Sequence, residues 1–164
     1  AKVALTPTQM QLFQRMQPSE QAHSLQVYKE LSSDPNNVHL PHRKDLLVAA
    51  LLHDVGKIRC PLRDSERVIV VLGRAFFPDK VKCWGQEEIK IGEYSSDFGL
   101  LSWLMRPFIV AEQHPDWGAS LAAEAGVSQL TAELIRNHQN FSVENPVTIE
   151  EQLLSRLQKA DGLN

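Results

Sequence analysis

Cysteines, long apolar runs and an excess of either charge are scarce in this sequence, and each shortage excludes a class of protein. Two cysteines, Cys60 and Cys83, cannot make a disulfide framework, and their spacing fits neither a zinc ribbon nor a redox pair. Both read as packing residues. No apolar run approaches the roughly 20 residues that cross a bilayer, and the N-terminus lacks the charged-then-apolar order of a signal peptide. The chain therefore reads as soluble and cytoplasmic, without a membrane partner. Seventeen basic residues stand against 20 acidic ones, a formal net charge of -3. Such a balance offers neither a polyelectrolyte tail nor a strongly basic face for duplex nucleic acid. The sequence starts at Ala1 rather than at a Met and stops at Asn164, as a processed or trimmed form would. What is present is 43% apolar residues in 164, enough for one continuous core and one domain over residues 1–164, together with six histidines.

The apolar periodicity is helical throughout. Thr6-Pro7-Thr8-Gln9 is a capping box with a proline at the first helical position, and the helix it opens should run to about Gln17, where Pro18 stops it. Ser19 then caps a second helix with Ala22, Leu25, Tyr28 and Leu31 on one face and His23 along it. Every residue from Leu46 to Leu52 is apolar, so that helix is buried on all sides, and His53-Asp54-Val55-Gly56 follows, with Gly56 placed to close it. Asp64 can cap a helix from Ser65 to about Phe77, stopped by Pro78, and residues 79–96 read as an irregular excursion or a weak hairpin. Leu100–Leu104 and Pro107–Gln113 read as two helical pieces, with His114-Pro115 extended and Asp116 capping a further helix that Gly126 ends. Ser128 caps a helix ending near His138, and Thr148-x-x-Glu151 caps the last one, which carries Leu153, Leu157, Ala160 and Asp161. The expected architecture is an all-α compact bundle.

Six polar residues sit where this pattern expects core: His23, His53, Asp54, His114, His138 and Asp161 adjoin the apolar sides of five segments. One such residue would be a cap or a satisfied core group; the set asks for a shared partner. Imidazole and carboxylate ligands suit divalent metals, and four histidines with two aspartates can hold two ions, with Asp54 bridging through its two oxygens. Two ions about 4 Å apart turn a bridging water into hydroxide and neutralise charge on a transferring phosphoryl group. With no thiolate in the set, iron or manganese is favoured over zinc. Lys57, three residues beyond Asp54, is placed to meet a phosphate oxygen.

The ordered set His, His-Asp, His, His, Asp on an all-α chain resembles the HD-domain superfamily of metal-dependent phosphohydrolases. It is carried by "AHSLQVY", "AALLHDVGKI", "EQHPDWGASLA", "LIRNHQN" and "LQKADGLN", which cover nearly the whole chain. The resemblance implies that His23, His53, Asp54 and Asp161 hold one metal and that Asp54 bridges to a second held by His114 and His138. It also implies that Lys57 of "HDVGK" lies beside the bound phosphate. The "GYP" signature of the cyclic-di-GMP phosphodiesterases is absent, and residues 60–113 look longer than the corresponding stretch of the similar diadenosine tetraphosphate hydrolases. The implied activity is hydrolysis of a phosphate ester or anhydride in a nucleotide or another small phosphorylated metabolite, by a metal-bound hydroxide. A di-iron oxygenase of the same superfamily and a non-catalytic metal-binding regulatory domain share the ligand set and stay open.

Further candidates border this set. Arg106, eight residues ahead of His114, can point a guanidinium at a phosphate or close a structural ion pair. Trp117 can line the pocket against a base, with core packing as its alternative. Arg59, Arg63 and Arg67 form a solvated positive stretch, and His39 and His42 read as surface residues rather than as a further zinc site.

Overall fold

The structure is a computed structural model that describes residues 4–85, 100–140 and 145–162. The regular elements among those residues are all helical, as the periodicity requires. They are α1 (Pro7–Gln14), α2 (Pro18–Ser33), α3 (Arg43–Leu52), α4 (Asp64–Phe76), α5 (Pro78–Gly85), α6 (Leu100–Glu124), α7 (Gln129–Asn137) and α8 (Ile149–Gly162). Short 3-10 turns lie at Pro35–Asn37 and Val55–Arg59. The chain divides into two compact units, residues 1–59 with 115–164, and residues 60–114.

In the first unit α3 is the axis. A helix with no polar face needs apolar neighbours all round, and α2, α7 and α8 supply them. Leu46, Ala49, Ala50, Leu51 and Leu52 lose all exposure against Val27 and Leu31 of α2, Ile135 of α7, and Leu153 and Leu157 of α8. Each large aliphatic side chain so buried contributes about 1.5–3 kcal/mol. Asp45, in the first turn of α3, accepts hydrogen bonds from the hydroxyls of Ser128 and Thr131 at the start of α7, which fixes the two helices in register.

The capping signals hold. Thr6 and Gln9 exchange their reciprocal bonds at 3.1 and 3.4 Å, Thr131 N–H donates to Ser128 Oγ at 3.1 Å, and Glu151 N–H donates to Thr148 Oγ1 at 3.2 Å. Gly126, at φ 76°, ends α6 in the left-handed conformation.

The prolines require correction. Pro18 and Pro78 do not merely stop helices; each opens the next one, α2 and α5, because a fixed φ and a missing N–H suit the first helical position. The cap of α2 is Gln17 rather than Ser19, with Gln17 N–H donating to Glu20 Oε2 at 3.1 Å. At α4 the cap is Arg63 rather than Asp64, and Arg63 N–H donates to Glu66 Oε2 at 2.7 Å. Residues 79–85 of the expected irregular excursion are helical, and 86–96 lie outside the described residues. Most strongly, α6 is one 25-residue helix that passes through Pro107 and Pro115, without the expected break, the extended His114-Pro115 or a start at Asp116. An interior proline costs about 3 kcal/mol. Burial of Phe108, Ile109, Val110, Ala119 and Ala122 along the same helix is of at least that size.

Gly56 does not close α3 either. The chain continues from His53 into the Val55–Arg59 turn, and Gly126 is the one positive-φ glycine among the described residues. Close approach explains the pair of glycines instead: a Cβ on Gly118 would stand 3.1 Å from the Gly56 backbone nitrogen and 3.2 Å from Ile135 Cγ2.

The second unit buries Leu62, Val81, Phe108, Ile109 and Val110, and Trp84 packs on Phe108 with ring centroids 5.4 Å apart. Cys60 is buried as expected, whereas Cys83 is exposed, which corrects its packing role. Among the described residues no helix is long and apolar enough to cross a membrane.

Candidate metal centre

The first unit gathers side chains from α2, the end of α3, the C-terminus of α7 and α8 at one place. His23 Nε2 lies 2.7 Å from Asp161 Oδ1, and His53 Nε2 lies 3.3 Å from the same oxygen and 3.8 Å from Asp54 Oδ2. His23, His53 and Asp161 each offer a ligand atom, all within 4.8 Å of one another. Asp54 and His138, both buried, stand within that distance of each other. The His53 ring sits edge-on to His23 and to His138, with centroids 5.3 and 5.2 Å apart. Three imidazoles and two carboxylates thus occupy one region of the bundle.

Backbone carbonyls choose the ring tautomers. His53 Nδ1 donates to Ala50 O at 3.0 Å and His138 Nδ1 to Ile135 O at 2.7 Å. Both acceptors belong to the last turn of a helix, where carbonyls lack intrahelical partners. A carbonyl only accepts, so Nδ1 carries the proton and Nε2 presents the lone pair, the state in which imidazole binds a metal. His114, the last residue of the second unit, is buried and has the same device in mid-helix. Its Nδ1 donates to Val110 O at 3.0 Å and to Ala111 O at 3.1 Å. Pro115 has no N–H for Ala111 O, so the proline that failed to break α6 leaves that carbonyl for the imidazole.

The charge distribution asks for a cation. Burial would raise the Asp161 carboxyl, but the hydrogen bond with His23 and the charge of His53 outweigh it and hold the group well below the usual carboxylate range. For His53 burial opposes the imidazolium, and Asp54 and Asp161 together overcome it, raising the group above its ordinary value. His53 Nε2 is fully buried and has no hydrogen bond of acceptable geometry, although two carboxylates face it. A lone pair turned toward two carboxylates is unfavourable unless a proton or a metal ion lies between them. The residues present therefore fit a divalent ion. Lys57 supplies the positive charge nearest Asp54: its ammonium lies 2.6 Å from Asp54 Oδ1, one 3-10 turn along, with Lys57 N–H donating to Asp54 O at 3.0 Å.

Arg106 belongs to the second unit, where Nη1 pairs with buried Glu66, Nη2 donates to Pro61 O at 2.6 Å and Nε to Cys60 Sγ at 3.1 Å. Any contact of Arg106 with a phosphate would compete with those bonds. Trp117 is half-buried on α6, Arg59 and Arg63 are exposed, His39 is exposed, and His42 pairs with Asp45 at 3.3 Å. Two supports escaped the sequence reading. Glu66 has no obvious partner in the sequence because Arg106 is 40 residues away. Gln158 Nε2 bridges Asn137 O at 3.2 Å and Asn140 O at 2.9 Å, so it locks the turn that carries His138.

A family-level comparison matches residues 21–162 to the HD domain. The chain belongs to the HD-domain family, whose members are mostly metal-dependent hydrolases. Compared with curated proteins and with solved structures, it finds no significant match.

Proposed function

We propose that this chain is a two-metal phosphohydrolase acting on a phosphate ester or anhydride of a nucleotide or another small phosphorylated metabolite. The observation that carries the reading is the buried His53 Nε2, a nitrogen without a hydrogen bond of acceptable geometry, aimed between Asp54 and Asp161 beside further imidazoles. By resemblance to the family, His23, His53, Asp54 and Asp161 would hold one ion, and Asp54, His114 and His138 would serve the other. Ions there supply Lewis acidity that activates water and offsets charge on the phosphoryl group. Iron or manganese fits the thiolate-free donor set better than zinc.

The chain's own residues do the rest. Ala50 O, Val110 O, Ala111 O and Ile135 O hold the imidazoles in the ligating tautomer. Asp54 turns Oδ2 toward His53 and Oδ1 toward Lys57, and its position one turn from that lysine keeps an ammonium at hand for a phosphate oxygen. The apolar wall of α3 limits water at the polar residues that follow it.

Elemental analysis of protein purified without chelator, followed by a panel of nucleotides and sugar phosphates with released phosphate as the readout, tests the reading. Two ions per chain with turnover support it. Oxygen uptake dependent on ferrous iron would shift it to the oxygenase branch. Folded, metal-loaded protein inert on the whole panel would remove it.

A further inference from the structure

We propose that Asp45, at the opposite end of α3 from the candidate metal centre, is a positioning residue for it: by holding the start of α7, Asp45 sets where the His138 ring stands against the His53 ring. The inference rests on the two-metal reading above, which uses both imidazoles. All the residues concerned belong to the first unit, and α3 and α7 meet through polar groups at both ends. At their starts, the hydroxyls of Ser128 and Thr131 donate to Asp45 Oδ1, the second at 3.0 Å. At their other ends, His53 and His138 are the C-caps of α3 and α7, and their rings lie edge-on with centroids 5.2 Å apart. The two helices therefore run in the same direction. Eight residues separate Asp45 from His53, and seven separate Thr131 from His138. These spans are about 12 and about 10 Å, so a slip of α7 by one residue at its start would carry the His138 ring about 1.5 Å along α3.

Apolar packing does not choose that register by itself. Hydrophobic burial is non-directional, and α3 is apolar on every side from Leu46 to Leu52, so a shifted α3 would still be covered. A polar group with fixed partners discriminates between registers where methyl groups do not. Asp45 serves that purpose: Oδ1 goes to Ser128 and Thr131, and Oδ2 faces the His42 ring at 3.3 Å. An acid at the third position of a helix commonly reaches back to the backbone N–H of its own cap, but this one is directed to α7. Ser128 Oγ also accepts Thr131 N–H at 3.1 Å as the cap of α7, so the residue that starts α7 is one that holds Asp45. Burial opposes ionisation of Asp45, and the bonds from Ser128, Thr131 and His42 outweigh it, keeping the carboxyl below its ordinary value and in the form that only accepts.

The test uses the whole chain at a temperature where every variant is folded. Nuclear Overhauser effects between the His53 and His138 rings of metal-free protein read their placement, and calorimetric titration with Mn²⁺ reads the consequence. His138→Ala first identifies the binding step that this ring serves. Asp45→Ala should weaken the ring-to-ring effect and lower the Mn²⁺ affinity of that same step by about tenfold. Asp45→Asn, whose amide oxygen still accepts both hydroxyls, should stay within about twofold of the parent. Thr131→Val deletes one hydroxyl and keeps the side-chain shape; it should fall between the two, and combining it with Asp45→Ala should weaken binding no further than Asp45→Ala alone. Thr148→Ala, which removes an exposed cap of α8, should lower stability and move neither readout. A folded Asp45→Ala or Thr131→Val protein with the parent's ring contacts and Mn²⁺ affinity overturns the inference and leaves the two-metal reading standing. If His138→Ala weakens no Mn²⁺-binding step, that reading falls and the inference falls with it.

Discussion

The two units bury charge for opposite ends. In residues 60–114 the buried carboxylate, Glu66, is fully answered: one oxygen takes the Arg106 guanidinium and the other the Arg63 N–H, while the remaining Arg106 donors go to Cys60 and Pro61. In residues 1–59 with 115–164, two carboxylates and three imidazoles converge; Asp161 pairs with His23 and Asp54 with Lys57, yet His53 Nε2 between them has no hydrogen bond of acceptable geometry. Stable proteins satisfy their buried polar groups, so the local breach of that rule marks the place where a ligand completes the structure. Buried charge alone does not mark a site; a buried imidazole nitrogen left without a hydrogen bond between two carboxylates does.

The contrast makes graded predictions. Asp54→Ala should have the largest effect, with at least one ion lost by elemental analysis and phosphate release reduced by about a thousandfold or more, since several kcal/mol of charge stabilisation go with it. Removing one partner of a satisfied clamp is a stability matter instead. Arg106→Ala should cost about 3 kcal/mol in urea denaturation, with metal content unchanged. A variant as stable as the parent but with a raised KM would instead make Arg106 a substrate contact and erase the difference between the units.

Packing should show the same division. Leu51 and Leu157 are without exposure, and Leu157→Ala should cost about 2–5 kcal/mol. On α4, Val68, Val71, Leu72 and Phe76 are all more than half exposed, and Val71→Ser should change stability by about 0.5 kcal/mol or less.

Acid sharpens the comparison further. Asp161 titrates below its ordinary 3.8 when folded. Its contribution to the metal-free protein is therefore complete above the unfolded value and is lost as pH falls through the folded one. Asp161→Asn should flatten that acid limb in denaturant titrations between about pH 5 and 2. The smallest effect belongs to the exposed cap, where Thr148→Ala should cost about 1 kcal/mol.

Much of this was legible in the residues. The run Leu46–Leu52 shows its burial by having no polar face, and the capping boxes at Thr6 and Thr148 and the cap at Ser128 state where helices begin. Five of the six expected ligands lie together in the first unit, although the expected α2 stripe missed its face: Ala22 and Leu25 are exposed, while Ser24, Val27 and Leu31 are buried. Proline was the systematic error. The same residue ends one helix, begins the next, or is absorbed when burial on both sides outweighs a lost bond, and the local sequence around Pro18, Pro78 and Pro115 does not separate these outcomes. The ring acceptors were hidden for another reason, since a carbonyl has no letter of its own. Their trace is positional: a histidine just past a helix end, or one immediately followed by proline.

Because His53 and His138 are bonded to the final carbonyls of their own helices, each imidazole is a rigid extension of a helix rather than a side chain free to search. Orientation is then a matter of counting residues. A helix advances about 100° per residue, so one amino acid inserted between Asp45 and His53 would carry the ring about a quarter turn around α3 while leaving every ligand in the chain. Substitutions along α3 that preserve apolar volume should be forgiven. A change of length there should not, and the spacing from Asp45 to His53 is as much a part of the metal centre as the histidine itself.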